Sequence, residues 1–509
     1  MDRHRSPEPS GLGPSGSRAG RQRFDAWRDV PAAQWLDVRW QLKHTVRTAG
    51  DVARLLPLSE AEQASIDRLG KSYRFAVTPY YFSLIDPWDP HDPIRRMIVP
   101  SVEEEVDLDQ GEVDPLGEQA DQVAPGLTHR YPDRVLFVIT SFCTSYCRFC
   151  IRKRNWRGSD AASDPREVDE ALAYIRSHPE IRDVLVSGGD PLTLPISQLE
   201  YVLKGVRAIP HVEIVRIGSR EPVMLPMRIE PELVAMLERY APLWVNTHFN
   251  HPNELTPEAA GAVDRLLRAG IPVNNQSVLL AGVNDSLDVM KTLVRGLLKI
   301  KVRPYYLYHC DDVKGTAHLR TSVRRGLEIL EGLRGHTTGF AVPTYVVDAP
   351  EGGGKIPLMP NYLVSQGEKS LVLRNFEGVL VSVDDTPAAA TATAPGRTNG
   401  RGNGKAGGNG RAPGLHVADT DGRRGRRSIR SGASKGPGAA QSVSDLLEGN
   451  ASRLVPAGLE HYERRDALTA DADAPSEPSL PAVRPDPPSP PGRAPRRRGA
   501  RDLRVIQGS

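Results

Sequence analysis

The sequence predicts an α/β fold: a partial (β/α)6-type barrel, with a helical region ahead of it and a largely disordered C-terminal extension behind it. Three observations predict this. From Tyr131 to about Val383, short β-branched runs alternate with amphipathic stretches, and repeated βα units imply a parallel sheet, either open or curled into a barrel. Small and polar residues gather where the runs end, which is where parallel sheets build active sites. After about Asp384 the chain turns to Ala, Thr, Gly, Arg and Pro, a composition that cannot bury a core.

Residues 1–22 are Ser, Gly, Arg and Pro rich, read as disordered, and hold no apolar run of a secretory signal. Residues 23–125 form a helical region. Its tryptophans fall at helical periodicity in Trp35-Leu36-Asp37-Val38-Arg39-Trp40-Gln41-Leu42, and Ser59 starts a helix whose first turn holds Glu60 and Glu62. Residues 126–383 are the barrel domain, with strands expected at 135–139, 183–186, 213–217, 243–246, 271–273 and 304–308. Helices are expected between them, as at 167–177, 230–240, 258–269 and 287–300. The polar strand ends are Ser187-Gly188-Gly189-Asp190, Gly218-Ser219-Arg220, His248-Phe249-Asn250-His251, Asn275-Gln276 and Cys310-Asp311-Asp312. Residues 384–440 are a disordered insert, 441–465 a short helical segment, and 466–509 a disordered Pro/Arg-rich tail.

The 509 residues carry a net charge of +3, so overall charge nominates no polyanionic partner. The arginine runs at 423–427 and 496–498 could touch nucleic acid, but they read as solvated tail, and no nucleic-acid partner is expected. No uninterrupted apolar stretch of about 18 residues exists, so no membrane span is expected. Four cysteines with three clustered suit a reducing compartment, and the chain reads as cytoplasmic.

Those three, Cys143, Cys147 and Cys150, stand in Ser-Phe-Cys-Thr-Ser-Tyr-Cys-Arg-Phe-Cys, and Cys310 is the other. Three thiolates can hold three irons of a [4Fe-4S] cubane, whose usual complement is four cysteines. The fourth iron is then open to a small molecule. The competing readings are a structural zinc or a disulfide with a spare thiol; zinc normally takes four ligands in paired spacings, and no second pair is present. The C-x3-C-x2-C spacing, with Phe149 before the last cysteine, resembles the radical S-adenosylmethionine (SAM) superfamily, in which the open iron chelates the amino and carboxylate groups of SAM.

Asp348-Ala349-Pro350-Glu351-Gly352-Gly353-Gly354-Lys355 follows an apolar strand-like run at 340–347. Its glycines let the backbone approach a ligand and deliver one lysine. A nucleotide-binding Walker loop needs G-x4-G-K-[ST], but Ile356 follows the lysine and Ala349 replaces the first glycine. A surface loop with an incidental lysine remains the other reading from this segment alone.

Taken with the cysteines, the chain from about Trp27 to Val383 resembles the lysine 2,3-aminomutase family. The resemblance runs through Thr78-Pro79-Tyr80-Tyr81, Leu127-Thr128-His129-Arg130-Tyr131-Pro132-Asp133-Arg134, Asn246-Thr247-His248-Phe249-Asn250-His251-Pro252 and Asn375-Phe376-Glu377-Gly378-Val379. It resumes weakly at Val455-Pro456-Ala457-Gly458-Leu459-Glu460. The resemblance implies pyridoxal 5′-phosphate (PLP) held as a Schiff base on Lys355, with Arg130 and Arg134 at its phosphate. It also implies His248, Gln276 and Tyr308 around the PLP, and Ser187, Gly188, Gly189 and Asp190 at the amino end of SAM.

The implied reaction moves the α-amino group of lysine to its β carbon. A reduced cluster cleaves SAM to a 5′-deoxyadenosyl radical that removes a Cβ hydrogen, chemistry that cofactors must carry. By the same resemblance Arg152 pairs with the substrate carboxylate, while Asp311 and Asp348 receive the distant ammonium. Two anions favour a basic side chain, and they do not exclude arginine. Arginine 2,3-aminomutase, or another amino acid 2,3-aminomutase of the family, is therefore the alternative. The implied partners are free lysine, an electron donor such as flavodoxin or ferredoxin, and further copies of the chain in a homo-oligomer. The family's C-terminal zinc cysteines have no counterpart, because no cysteine follows Cys310, so no zinc site is expected.

Overall fold

The structure is a computed structural model, and it describes residues 24–157, 161–367, 370–385, 443–447 and 453–454. Ten strands form one sheet in chain order: β1 (Gln122–Ala124), β2 (Leu127–Tyr131), β3 (Arg134–Val138), β4 (Asp183–Ser187), β5 (Ile214–Gly218), β6 (Leu243–Thr247), β7 (Val273–Leu279), β8 (Arg303–His309), β9 (Thr344–Ala349) and β10 (Gly354–Leu358). From β3 to β9 every neighbouring pair is parallel. The β1–β2, β2–β3 and β9–β10 pairs are antiparallel.

A helix crosses over between each successive parallel pair: Pro165–Ser177, Ile196–Arg207, Pro231–Glu238, Pro257–Arg268, Leu287–Lys299 and Val323–Leu333. Local chemistry starts most of them. Asp164 and Glu167 form a capping box, and the side chains of Thr256, Ser286 and Ser322 each accept a first-turn backbone N–H. Leu172 and Ile175 on the first of these helices join Val184 and Val186 of β4 in the core, with Phe137, Ile217 and Val245 beside them. The six βα units of the sequence reading are present, and β9 adds a seventh parallel strand.

In the larger unit, three elements differ from expectation. The tryptophan stretch is two helices, Ala32–Trp35 and Val38–Lys43, because the Asp37 carboxylate caps the second by accepting Trp40 N–H at 2.6 Å. Asn275 and Gln276 lie inside β7 rather than in a loop after it. The buried Asn275 side chain accepts Phe249 N–H at 2.6 Å and donates to Phe249 O at 3.0 Å, so a strand can carry it. Lys355 stands on β10 opposite Asp348 of β9, at the foot of a hairpin rather than in an open loop.

The helix Glu60–Ser72 begins as expected, with Ser59 and Glu62 in a capping box. Contacts divide the chain into two compact units, Met1–Gln366 with Leu373–Glu377, and Gly367–Val372 with Gly378–Ser509. In the second, the strand Leu380–Asp384 pairs antiparallel with Arg453–Leu454, and a helix spans Val443–Leu447. Arg453 and Leu454 are thus extended where a helix was expected, shortly ahead of Val455, whose following Pro456 disfavours helical backbone. The expected insert from 386, both arginine runs and the tail lie outside the described residues. Among the described residues no helix is long and apolar enough to cross a membrane.

Candidate active site

The cysteine loop leaves the end of β3 and is clamped by the helical region. Tyr146 N–H donates to Ala76 O at 3.0 Å and Arg148 N–H to Met97 O at 2.8 Å. The Arg148 side chain, between two of the cysteines, is 1% exposed, and its Nε donates to Glu104 Oε2 at 2.8 Å. Lys153 Nζ reaches the same carboxylate at 2.7 Å. Burial pushes the Glu104 carboxyl up, but Arg148 and Lys153 together hold it below its ordinary value. All three cysteines are free thiols. Arg152 N–H points to Cys150 Sγ at 3.4 Å, and Arg220 Nη1 donates to Cys147 Sγ at 2.7 Å.

Ser187 ends β4, and Gly188, Gly189 and Asp190 follow it against the backbone entering the cysteine loop. Gly189 N–H donates to Thr140 O at 2.6 Å and Asp190 N–H to Phe142 O at 2.8 Å. A Cβ on Gly189 would collide with the Phe142 carbonyl, so only glycine lets the two segments meet. Asp190 accepts from Leu192 N–H, Ser219 Oγ and Arg220 N–H at 3.0, 2.7 and 2.6 Å. Burial nevertheless raises it to about 6. Glu221 lies next along the chain. Its Oε1 accepts Thr144 Oγ1 at 2.6 Å, and its buried Oε2 has no hydrogen-bond partner among the described residues.

At the far edge of the sheet, Lys355 Nζ pairs with both oxygens of Asp348 at 2.9 and 3.1 Å and lies 5.1 Å from the Tyr308 ring centre. Its backbone N–H donates to the Tyr131 hydroxyl at 3.0 Å. Arg130 Nε donates to Asp121 at 2.7 Å, and the Arg134 guanidinium stacks 4.8 Å over Tyr131. A Cβ on Gly352 would stand 3.4 Å from Arg130 Nε, so the glycine turn lies against that guanidinium. His248 and Gln276 share a side-chain hydrogen bond; burial, then Arg220, lower His248 to about 3, so its imidazole is neutral.

Asp311 joins this charge cluster. Burial first, then Asp348, raise it to about 7, against the pull of Lys355. Arg152 is held bidentately by Glu118, Nε at 3.0 Å and Nη2 at 2.7 Å. Glu118 belongs to a strap over residues 112–121 that holds both Arg152 and Arg130 and pairs with the backbone beside Asp311. Glu112 N–H donates to Asp312 O at 2.8 Å, Glu118 holds Arg152, and Leu116 O and Asp121 hold Arg130.

The residues present fit the cofactors. Burial, then Asp190 and the other two thiols, push Cys143 well up; burial and Cys147 push Cys150 up to about 11; burial outweighs Arg220 at Cys147. Such thiols need cationic iron to become thiolates. Among the described residues no three His, Cys, Asp or Glu side chains converge on a single ion, whereas a cubane gives each thiolate its own iron. Burial, then Asp190, push the Glu221 carboxyl well up, so its orphan oxygen suits a cation that would restore its charge, such as the ammonium of SAM. The glycine turn lies beside Arg130 and its partner Asp121, and a guanidinium there suits a phosphate.

Sequence reasoning missed Glu104, Glu118, Tyr131 and Glu221. Arg220 had only the signal of its place at a polar strand end. The chain matches the radical SAM superfamily model over residues 137–293 and the lysine-2,3-aminomutase model over residues 330–480. It is 52% identical over 364 residues to the L-lysine 2,3-aminomutase of Clostridium subterminale, covering 72% of this chain and 88% of that one. It is also 52% identical over 356 residues to that of Acetoanaerobium sticklandii, covering 70% and 86%. Identity to the glutamate 2,3-aminomutase of Clostridioides difficile is 45% over 354 residues, covering 70% and 84%. With both the cysteine loop and the β9–β10 hairpin inside these matches, the chain belongs to the lysine 2,3-aminomutase family of radical SAM enzymes.

Proposed function

We propose that one site at the ends of the parallel strands isomerises L-lysine to β-lysine, with Cys143, Cys147 and Cys150 holding the [4Fe-4S] cluster and Lys355 the PLP. As a family member the chain is a radical SAM, PLP-dependent isomerase. When bound, cluster and SAM supply a carbon radical that takes hydrogen from Cβ, and PLP supplies an aldehyde for the migrating amino group. Ser187, Gly188, Gly189 and Asp190 meet the amino end of SAM, and Arg130 and Arg134 meet the PLP phosphate. His248, neutral and bonded to Gln276, lines the pocket with Tyr308. Arg152 binds the substrate carboxylate, and Asp311 and Asp348 bind its distal ammonium.

The observation that carries this reading is the cluster of Asp311, Asp348 and Lys355, with the Arg152–Glu118 pair as a second charged group. Two carboxylates around one ammonium select a basic substrate, and an acidic side chain would meet like charge. Arginine satisfies the same charges and is the alternative. Anaerobic turnover of lysine, arginine and glutamate with SAM, PLP and dithionite tests the choice. Lysine is expected to react fastest and give β-lysine; faster turnover of arginine overturns the lysine assignment.

A low-potential donor such as a flavodoxin or ferredoxin would supply the electron to a cluster held by Cys143, Cys147 and Cys150. The enzyme works in the cytoplasm, a reading supported by four free cysteines. It assembles as a homo-oligomer. Support comes from Ile356, Met359, Leu363 and Val364, which are 44–56% exposed at and beyond the edge strand β10.

A further inference from the structure

The arginine read as the carboxylate anchor already holds a carboxylate. A guanidinium carries five N–H groups: one on Nε and two on each Nη. Glu118 takes the Nε–Nη2 edge of Arg152 at 3.0 and 2.7 Å, and among the described residues no other acceptor bonds this side chain. The Nη1–Nη2 edge keeps two parallel N–H groups, the fork that matches a carboxylate.

Glu118 is fixed from behind. Arg154 Nη2 holds it at 2.6 Å, and Arg154 is itself tied to Asp114 at 3.1 Å and to Ile151 O at 3.3 Å. Gln119 N–H donates to Asp114 at 2.9 Å, which closes the turn that presents Glu118. The Glu118 side chain is 9% exposed. Although burial opposes its charge, Arg152 and Arg154 hold its carboxyl at about 2, so it stays ionised. Asp114 and Glu118 of the strap and Arg152 and Arg154 beyond Cys150 make a neutral quartet, and a residue so anchored is not a placeholder for an incoming ligand.

We propose that Glu118 is a positioning residue: it grips one edge of Arg152 so that the other edge receives the carboxylate of the amino acid in a single orientation. The inference rests on the reading of Arg152 as the carboxylate site. Because the backbone N–H of Arg152 also points to Cys150 Sγ, the same residue ties the bound carboxylate to the cysteine loop. Loss of Glu118 therefore leaves the attraction in place and blurs the geometry. Kd for lysine holds or tightens, since two arginines lose an anion, while kcat falls.

The test uses the holoenzyme with Glu118→Gln, Glu118→Asp and Arg152→Lys. It measures kcat, and Kd from the lysine-dependent change in the PLP absorption band, with iron and PLP content as checks of folding. The expected result for Glu118→Gln is a kcat loss of roughly 10²-fold, the cost of about 1 Å of misplacement, with Kd no weaker. Glu118→Asp is expected to recover part of kcat. Unchanged kcat in Glu118→Gln, or a loss confined to Kd, overturns the proposal. If Glu118→Gln loses iron or PLP, Glu118→Asp decides by the same two readouts. Arg152→Lys separates the failures: if it changes neither constant, the carboxylate reading of Arg152 falls, and if it alone is impaired, only the role of Glu118 falls.

Discussion

Replacing Asp348 by Asn removes one of the two carboxylates assigned to the distal ammonium of lysine. The Asp348 side chain is 7% exposed and meets Lys355 through both oxygens. Removing one charge from a buried ionic group costs about 3–5 kcal/mol, which is about two to three and a half decades at about 1.4 kcal/mol per decade. The structure points to the lower end. Asp348 is the second cause, after burial, of the raised value of about 7 at Asp311, so its loss lets Asp311 ionise more readily and recover part of the lost attraction. The expected kcat/KM for lysine is therefore about 10²-fold down, with SAM binding intact. The pH profile adds a sign. In the wild type Asp311 is neutral below about 7 and anionic above it, so KM for lysine falls as pH rises through about 7. In the variant that step moves to lower pH. Steady-state turnover from pH 5.5 to 8.5 (about three units around that value) measures both effects. A loss of only a few-fold, with the pH step unmoved, would refute the charge reasoning.

Changing Cys143, Cys147 or Cys150 to Ala is expected to abolish iron loading after reconstitution, and Cys310→Ala to leave it intact; equal loss in Cys310→Ala contradicts the three-thiolate site. Borohydride reduction of the PLP-loaded enzyme is expected to fix pyridoxyl on Lys355, read by peptide mapping, and label on another lysine sinks that assignment. Lys355→Ala should still bind SAM in a direct titration, because the cysteine loop and the β9–β10 hairpin are separate elements. Glu104→Ala leaves Arg148 and Lys153 buried without their shared anion, a cost of about 3–5 kcal/mol. A fall in iron retention and in thermal midpoint is expected, and an unchanged midpoint contradicts the clamp.

The sheet was legible because most parallel strands are short β-branched or aromatic runs, and most crossover helices announce themselves by Ser, Thr or Asp caps. Asn275 and Gln276 misled because polar residues usually end a strand, whereas here Phe249 supplies main-chain partners for a buried Asn275. Lys355 was legible as a special lysine, but not as a strand residue facing Asp348, since register is set across the hairpin. The family resemblance nominated Arg152, Asp311 and Asp348. Nothing local nominated Glu118, which meets Arg152 from 34 residues away, or Glu104, which meets Arg148 from 44. Motif spacing nominates candidate ligand groups, while their counterions are chosen by the fold.

Turnover of lysine carrying nitrogen-15 at the α-amino group tests the 2,3-amino migration most directly. The label is expected to be retained in full and to appear on C3 of the β-lysine produced, since the amino group moves within one molecule at one site. Label released as ammonia, or left on C2 of the recovered product, would contradict it.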